Sequence, residues 1–286
     1  MNKIKCQYCK NEKTVKRGLT HNNKQRYLCK NCKKTFIQDN GFYRMKNSPE
    51  LITMAIDMYL SNLSSRKMRN QIKRHNLGSV SHQTVLSWVR KYVLKVNDFI
   101  TKLSPSLSGK IYADETEIRR KKNDDIFWCS VDWDTRYINA HLYSEKNQNM
   151  KDAKEFMSRI KQSGNTKYVQ TDALRIYPRA FRKAFKIDKR RKSEVEHRIN
   201  NVSKTKKHNV RIETVFSKIK DRVYDFRSLK ALWSAPILLL GLVIQHNFIE
   251  QHSTIKTYPC ELAGLNLDLG VNRWLGLIKL SSNFSI

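Results

Sequence analysis

Two cysteine pairs, Cys6-x2-Cys9 and Cys29-x2-Cys32, stand 19 residues apart and constrain the first forty residues more tightly than any other feature constrains the chain. Each pair is a knuckle that offers two thiolates to one metal, and two knuckles at this spacing surround a single zinc tetrahedrally. So short a segment cannot bury enough apolar surface to fold alone, so metal binding supplies most of its folding free energy. Four protein ligands leave no open coordination position, which makes such a zinc structural. We therefore expect a zinc ribbon over residues 1–40, with Tyr27 and Phe36 in its core and Lys16, Arg17, Arg26, Lys33 and Lys34 around it. Cys129 and Cys260 stand alone and are expected as unligated thiols, and the eight histidines show no metal-ligand spacing.

The charge balance points to a polyanionic partner. The 286 residues carry 56 Lys and Arg against 25 Asp and Glu, a formal charge of +31. A compact chain bears self-repulsion at that charge, which phosphates relieve as counterions are released. Nucleic acid fits this footprint better than an anionic membrane. Residues 1–100 hold 21 basic residues against 5 acids and read as a DNA-binding region. Residues 182–207 hold 11 against 3 and read as a solvated or phosphate-facing loop. Met1 to Lys10 is polar, so no secretory leader is expected. The apolar run Ala231–Ile249 approaches membrane-spanning length, but Pro236, Gly241, Gln245, His246 and Asn247 interrupt it, and it reads as a buried helix. The cysteines then belong to a reducing cytosol.

Residues 48–98 read as a helical domain. Ser48-Pro49-Glu50 is a helix start, followed by Leu51, Ala55, Met58 and Tyr59 at helical spacing. A second helix spans about Ser65 to His75. Asn76-Leu77-Gly78 makes a turn, and Ser81 caps a third helix to about Lys95, with Val85, Trp88, Val89 and Tyr92 at core spacing. Helix, tight turn, helix is the helix-turn-helix plan, whose second helix enters the major groove N-terminus first. Ser81, His82, Gln83, Thr84 and Ser87 are the base-readout candidates, and Lys73 and Arg74 the phosphate contacts. A plain helical connector is the competing reading.

After a linker at 104–109 the pattern becomes that of strands: Lys110–Ala113, Asp125–Asp132 and Tyr137–Tyr143, the last two joined by a turn at Asp132–Arg136. A helix at 149–162, a strand at 168–171, a helix at 177–185 and two closing helices, 212–224 and 228–251, complete an α/β layer fold with a mixed sheet and flanking helices. The tail 253–286 is expected to pack on the core or to meet a second subunit.

Acids are scarce, and three fall at element ends. Asp114 follows the first strand, Asp172 follows the fourth, and Glu213 opens a helix in basic surroundings. Sites in α/β sheets lie beyond such strand ends. Two or three carboxylates gathered there suffice to hold magnesium, which keeps water and substrate phosphates as its other ligands. Each acid taken alone reads better as a helix cap, a turn residue or a surface charge; it is as a set at element ends that they point to a site. Glu194 and Glu196 remain alternatives to Glu213, and Glu115, which should face away from Asp114, is taken as context. Trp133 reads as packing more readily than as a stack for a flipped base.

The stretches Tyr112-Ala113-Asp114-Glu115-Thr116, Thr171-Asp172-Ala173 with Tyr177-Pro178-Arg179-Ala180, and Asn209-Val210-Arg211-Ile212-Glu213 followed by Lys220, Arg222 and Phe226-Arg227-Ser228-Leu229, resemble an insertion-sequence transposase with an Asp-Asp-Glu, RNase H-like core, most nearly insertion-sequence family six. The resemblance implies an RNase H-like catalytic domain at 108–252, with Asp114, Asp172 and Glu213 binding two Mg2+ or Mn2+ ions. It implies Lys220 and Arg222 on DNA near the cut, double-stranded terminal repeats and target DNA as partners, and a homodimer or higher oligomer in the nucleoid of a prokaryotic cell, with no membrane role. The implied activity is strand cleavage and transfer at the ends of the protein's own element. The alternative is a DNA-binding regulator, or domesticated transposase, that uses the ribbon and helix-turn-helix without catalysis.

Overall fold

The computed structural model describes residues 4–20, 25–38, 40–145, 148–185, 194–200, 210–225, 229 and 231–283. The chain divides into two compact units, Met1–Lys46 with Ile278–Ile286, and Asn47–Leu277. In the first, β1 (Thr14–Leu19), β2 (Gln25–Cys29) and β3 (Thr35–Ile37) form an antiparallel sheet in that order. Both cysteine knuckles are built alike. Lys10 and Lys33, each one residue past the second cysteine of its pair, adopt positive φ of 58° and 57°. Their N–H groups donate back to the Cys6 and Cys29 carbonyls at 2.9 and 3.0 Å. This folds the four sulfurs together, Cys6 to Cys32 at 3.6 Å and Cys9 to Cys29 at 3.5 Å, with all four within 4.8 Å of one another.

The second unit opens with three helices, α1 (Pro49–Leu60), α2 (Ser65–Arg74) and α3 (His82–Ile100), each N-capped by a serine, Ser48, Ser64 and Ser81. The α2–α3 turn needs left-handed backbone at Asn76 (φ 54°) and Gly78 (φ 143°), conformations these two residue types tolerate. Met68 and Ile72 of α2 and Val85, Trp88 and Val89 of α3 are buried where these helices pack. The third helix outruns the expected end near Lys95, because Val96 and Phe99 are buried on the side of α3 that packs against the later helix α7.

Five strands follow: β4 (Lys110–Arg120), β5 (Asn123–Asp132), β6 (Ile138–Ser144), β7 (Tyr168–Thr171) and β8 (Glu196–Ile199). Their order is β6-β5-β4-β7-β8, antiparallel among the first three and parallel from β4 to β8. This mixed sheet with helices on both faces is an RNase H-like core. The first strand runs on to Arg120 instead of ending at Asp114. Its second half is charged in sequence, yet Thr116, Ile118 and Arg120 alternate inward and are buried. Arg120 is tolerated there because its guanidinium donates to the wholly buried Asp125 carboxylate, with the Tyr143 hydroxyl donating to the same group. The eighth strand lies in the basic stretch read as loop, and masks its pattern with Arg and Glu.

Helices α4 (Met150–Gln162) and α5 (Ile176–Phe185) cover one face, where Trp128 packs on Phe156 and Tyr177 at ring separations of 5.8 Å. Helix α6 (Val210–Tyr224) packs against β4 and β5 on the opposite face. Helix α7 (Ser234–Ile244) starts later than expected and passes into a π-helical turn, Gln245–Ile249. Within that turn Gln245 donates to Asp57 and Ser61 of the α1 end, and Asn247 bonds the backbone of Ile138 both ways. Two last helices, α8 (Pro259–Leu262) and α9 (Arg273–Asn283), lie in the tail, where the buried Trp274 donates to Gln245 at 3.0 Å and Arg273 pairs with Glu261 at 3.1 Å. Among the described residues no helix is long and apolar enough to cross a membrane.

Candidate active site

The site arises from a mismatch of strand lengths. Strand β7 pairs with β4 only at Lys110, Ile111 and Tyr112, and ends at Thr171, whereas β4 continues to Arg120. Asp114 and Glu115 therefore lie on a stretch of β4 edge that β7 does not reach, and Asp172 is the first residue past the end of β7. One oxygen from each of Asp114, Glu115 and Asp172 lies within 4.8 Å of the others. Local hydrogen bonds fix two of them: Asp172 accepts the Leu174 N–H and Asp114 the Glu115 N–H, both at 3.0 Å.

Glu115 does face away from Asp114 along the strand, as strand geometry requires. It is paired across β5 with Trp128, on the α4–α5 side, and there it accepts bonds from the Tyr177 hydroxyl and, at 2.8 Å, from Gln148. Because β7 stops short, its carboxylate still reaches round the open edge to the other two. This is the one group member that sequence reasoning set aside; its adjacency to Asp114 was the available signal.

Asp114 lies on the α6 face. Burial first, then the charges of Asp172 and Glu213, push its pKa up to about 7, against the opposing Glu115 N–H and Lys220. Burial likewise pushes Glu115 up to about 7, with Asp114 and Asp172 adding to it and the Tyr177 bond opposing. Glu213 is exposed on the first turn of α6 and lies outside the 4.8 Å group, though its charge is felt at Asp114. Lys220, two turns further along the same helix, is exposed and also acts on Asp114. The competing acid Glu196 is in register with Tyr168, at the start of β7 and not at its Asp172 end, and is paired with Arg198 at 2.7 Å. Glu194 precedes it by two residues, further from that end.

The remaining expected DNA contacts divide. Lys73, Arg74, Gln83 and Ser87 are exposed, and His82 and Thr84 are half-buried. Ser81 is exposed, but its hydroxyl is committed to capping α3, accepting the Thr84 N–H at 3.0 Å. Arg222 is a correction. It is 1% exposed, its guanidinium 4.8 Å from the Tyr59 ring and donating to the Leu63 carbonyl. Two positions past Lys220 is a rotation of about 200° around the helix, which turns Arg222 from solvent into the α1 contact. Trp133 packs: Tyr112 stacks on it at 4.5 Å, and the Arg211 guanidinium lies 3.2 Å from its ring centroid.

A family model described as a DDE domain, the transposase model DDE_Tnp_IS240, matches residues 108–252. The chain belongs to this family of transposase DDE domains. The matched span begins just before β4, ends just after the π-helical turn, and contains Asp114, Asp172 and Glu213. No curated protein matches the chain significantly. Among solved structures, the chain is similar to a chain of the simian T-cell lymphotropic virus intasome in complex with PP2A regulatory subunit B56 gamma, at 13% identity and a TM-score of 0.43, covering 55% of each chain. It is also similar to the HTLV-2 integrase catalytic core domain in complex with magnesium, at 12% identity and a TM-score of 0.39, over 55% of this chain and 97% of that one. The nuclease domain of the large terminase subunit gp2 of bacterial virus Sf6 aligns at 11% identity and a TM-score of 0.25, over 68% and 96%.

The crowded acids set a pH dependence. A carboxyl whose pKa is raised by folding binds its proton more tightly when folded, so stability falls as pH rises from the unfolded value near 4 through the folded value near 7. The metal-free protein should melt at progressively lower temperature across that window. Asp114→Asn should flatten the trend, and Mg2+ or Mn2+ should raise the melting temperature more at pH 8 than at pH 5. A melting temperature that climbs from pH 4 to 7 in the chelated protein contradicts the crowding.

Proposed function

We propose that this transposase cleaves and joins DNA strands at the ends of its own insertion sequence, with Asp114, Asp172 and Glu213 as its metal-holding acids. The observation that carries the reading is the convergence of Asp114 and Asp172 at the open edge of β4, within the family-matched span. The donor set is all carboxylate oxygen, which suits Mg2+ or Mn2+. Oxygens around one octahedral Mg2+ are at most about 4.2 Å apart, so a group within 4.8 Å needs only a slight contraction. When bound, two such ions supply charge stabilisation to the attacking and leaving oxygens of an in-line displacement.

The chain's own residues do the rest. Asp114 and Asp172, fixed by their hydrogen bonds, aim their oxygens into the notch. Glu213 approaches from α6 as the third acid, and Lys220, on the same helix, meets a phosphate beside the cut. An element has two ends, so we infer that a homodimer or larger assembly works on the DNA, in the cytoplasm. Strand transfer with end-sequence DNA and Mn2+ tests this reading. Asp172→Asn, Asp114→Asn and Glu213→Gln should each lose on the order of 10³-fold in rate, about 4 kcal/mol of barrier, with DNA binding retained, while Glu196→Gln should keep its rate. Full activity in Asp172→Asn removes the mechanism; full activity in Glu213→Gln removes only the third acid.

We assign one zinc to Cys6, Cys9, Cys29 and Cys32. Sulfurs at about 2.3 Å from a tetrahedral zinc are about 3.8 Å apart, close to the 3.5 and 3.6 Å separations here. Cys29→Ser should unfold the ribbon and release the zinc while the catalytic core stays folded. Elemental analysis of natively purified protein finding less than one zinc per chain removes the assignment.

We further propose that α2 and α3 act as a helix-turn-helix, separate in function from the catalytic domain. Gln83→Ala or Thr84→Ala should relax sequence preference, whereas Lys73→Ala or Arg74→Ala should weaken binding to all DNA alike. Equal effects of all four on specific and random duplexes contradict α3 as the reading helix.

A further inference from the structure

The turn between β5 and β6, the start of α6 and residues 252–254 enclose a cavity of about 220 Å³. Its polar lining includes Arg136, Arg211, His246 and His252, and no acid lines it among the described residues. The acids nearby are engaged elsewhere. Asp134 pairs with Lys110 at 3.0 Å, Glu250 with Lys218 at 3.2 Å, and Asp132 accepts bonds from Ser108 and Thr135.

Two details separate this cavity from an ordinary basic surface. First, the Arg136 Nε is buried and has no hydrogen-bond partner among the described residues. A buried guanidinium donor left unmatched costs about 1–3 kcal/mol or more, so native proteins rarely keep one without a use. Second, Arg211 is held in place by a ring and a backbone group: its guanidinium lies on the Trp133 ring and donates to the Trp133 carbonyl. The groups also oppose one another. Arg136 and Arg211 carry like charge on one lining, beside His246 and His252. An anion seated in the cavity would satisfy the orphan donor and relieve this repulsion together.

We infer that this cavity binds a phosphodiester of the DNA backbone, gripped by Arg136 and Arg211. Arg211 precedes Glu213 by two residues on α6, a rotation of about 200°, so the grip on the backbone and the third acid lie on opposite sides of one helix turn. The inference rests on the reading of this chain as acting on DNA.

The test uses full-length Asp172→Asn protein in EDTA, so that binding is read without cleavage, and a random-sequence duplex titrated across a salt series. Each lost phosphate contact should reduce the slope of log affinity against log salt by about one. Arg136→Gln and Arg211→Gln should each show that reduction, Arg136→Lys should keep the parent slope, and Arg136→Gln should melt no lower than its parent, since it removes an unpaired cation. Parent-like slopes in both glutamine variants overturn the inference, as does a large fall in melting temperature for Arg136→Gln together with a parent-like slope for Arg211→Gln. A free-anion arm separates the sources. If inorganic phosphate without DNA raises the parent's melting temperature above that in chloride of equal ionic strength, an effect lost in Arg136→Gln, while DNA slopes are unchanged, the cavity serves a free phosphate and the DNA assignment falls. Strand transfer by the otherwise native chain reports separately on the catalytic reading.

Discussion

Like charge held at close range is the condition around which the catalytic unit is organised. Three carboxylates within 4.8 Å of one another, two of them with pKa pushed up to about 7, are unfavourable in the absence of a cation. The sheet bears this because the strands that carry the acids are fixed by contacts remote from them. Strand β4 is paired along its whole length with β5, while β7 is tied by three residue pairs and then stops. The open edge is therefore a gap in the sheet whose position is set by the β4–β5 and β4–β7 ladders.

The far half of β4 depends on a second buried charge. Arg120 and Asp125 close the β4–β5 hairpin with the Tyr143 hydroxyl, and Arg120 is only 5% exposed. Breaking such a pair by removing one partner typically costs about 3–5 kcal/mol, whereas replacing both by apolar residues is often neutral. The pair thus contributes register more than net stability. It keeps β4 extended past the acids, on a stretch whose exposed positions are charged and would otherwise favour a loop.

Much of this was legible in the sequence, for physical reasons that differ by element. The cysteine knuckles were readable because metal-ligand spacing is local. The three N-terminal helices were readable because their caps and apolar spacing agree. The short buried strand β7 was bounded correctly because its apolar residues are contiguous with Asp172. What failed was the reading of charged residues that are buried or paired. Strand β4 was cut short at Asp114 because Arg119-Arg120 looked like surface. Strand β8 vanished into a basic run. Arg222 was placed on DNA although the helix turns it against Tyr59. Glu115 was excluded by the two-fold alternation of a strand, a rule that assumes neighbours on both sides; at an edge with a missing neighbour a glutamate side chain is long enough to reach round.

The π-helical turn at Gln245–Ile249 has a mechanical consequence. Its extra residue per turn fans consecutive side chains outward, so that Gln245 holds the end of α1 and the buried Trp274, His246 meets the Arg136 carbonyl, and Asn247 clamps the backbone of β6. Torque applied to α1 is therefore delivered to the β5–β6 turn and the edge strand β6 through the side chains of one turn, without a slack hinge between.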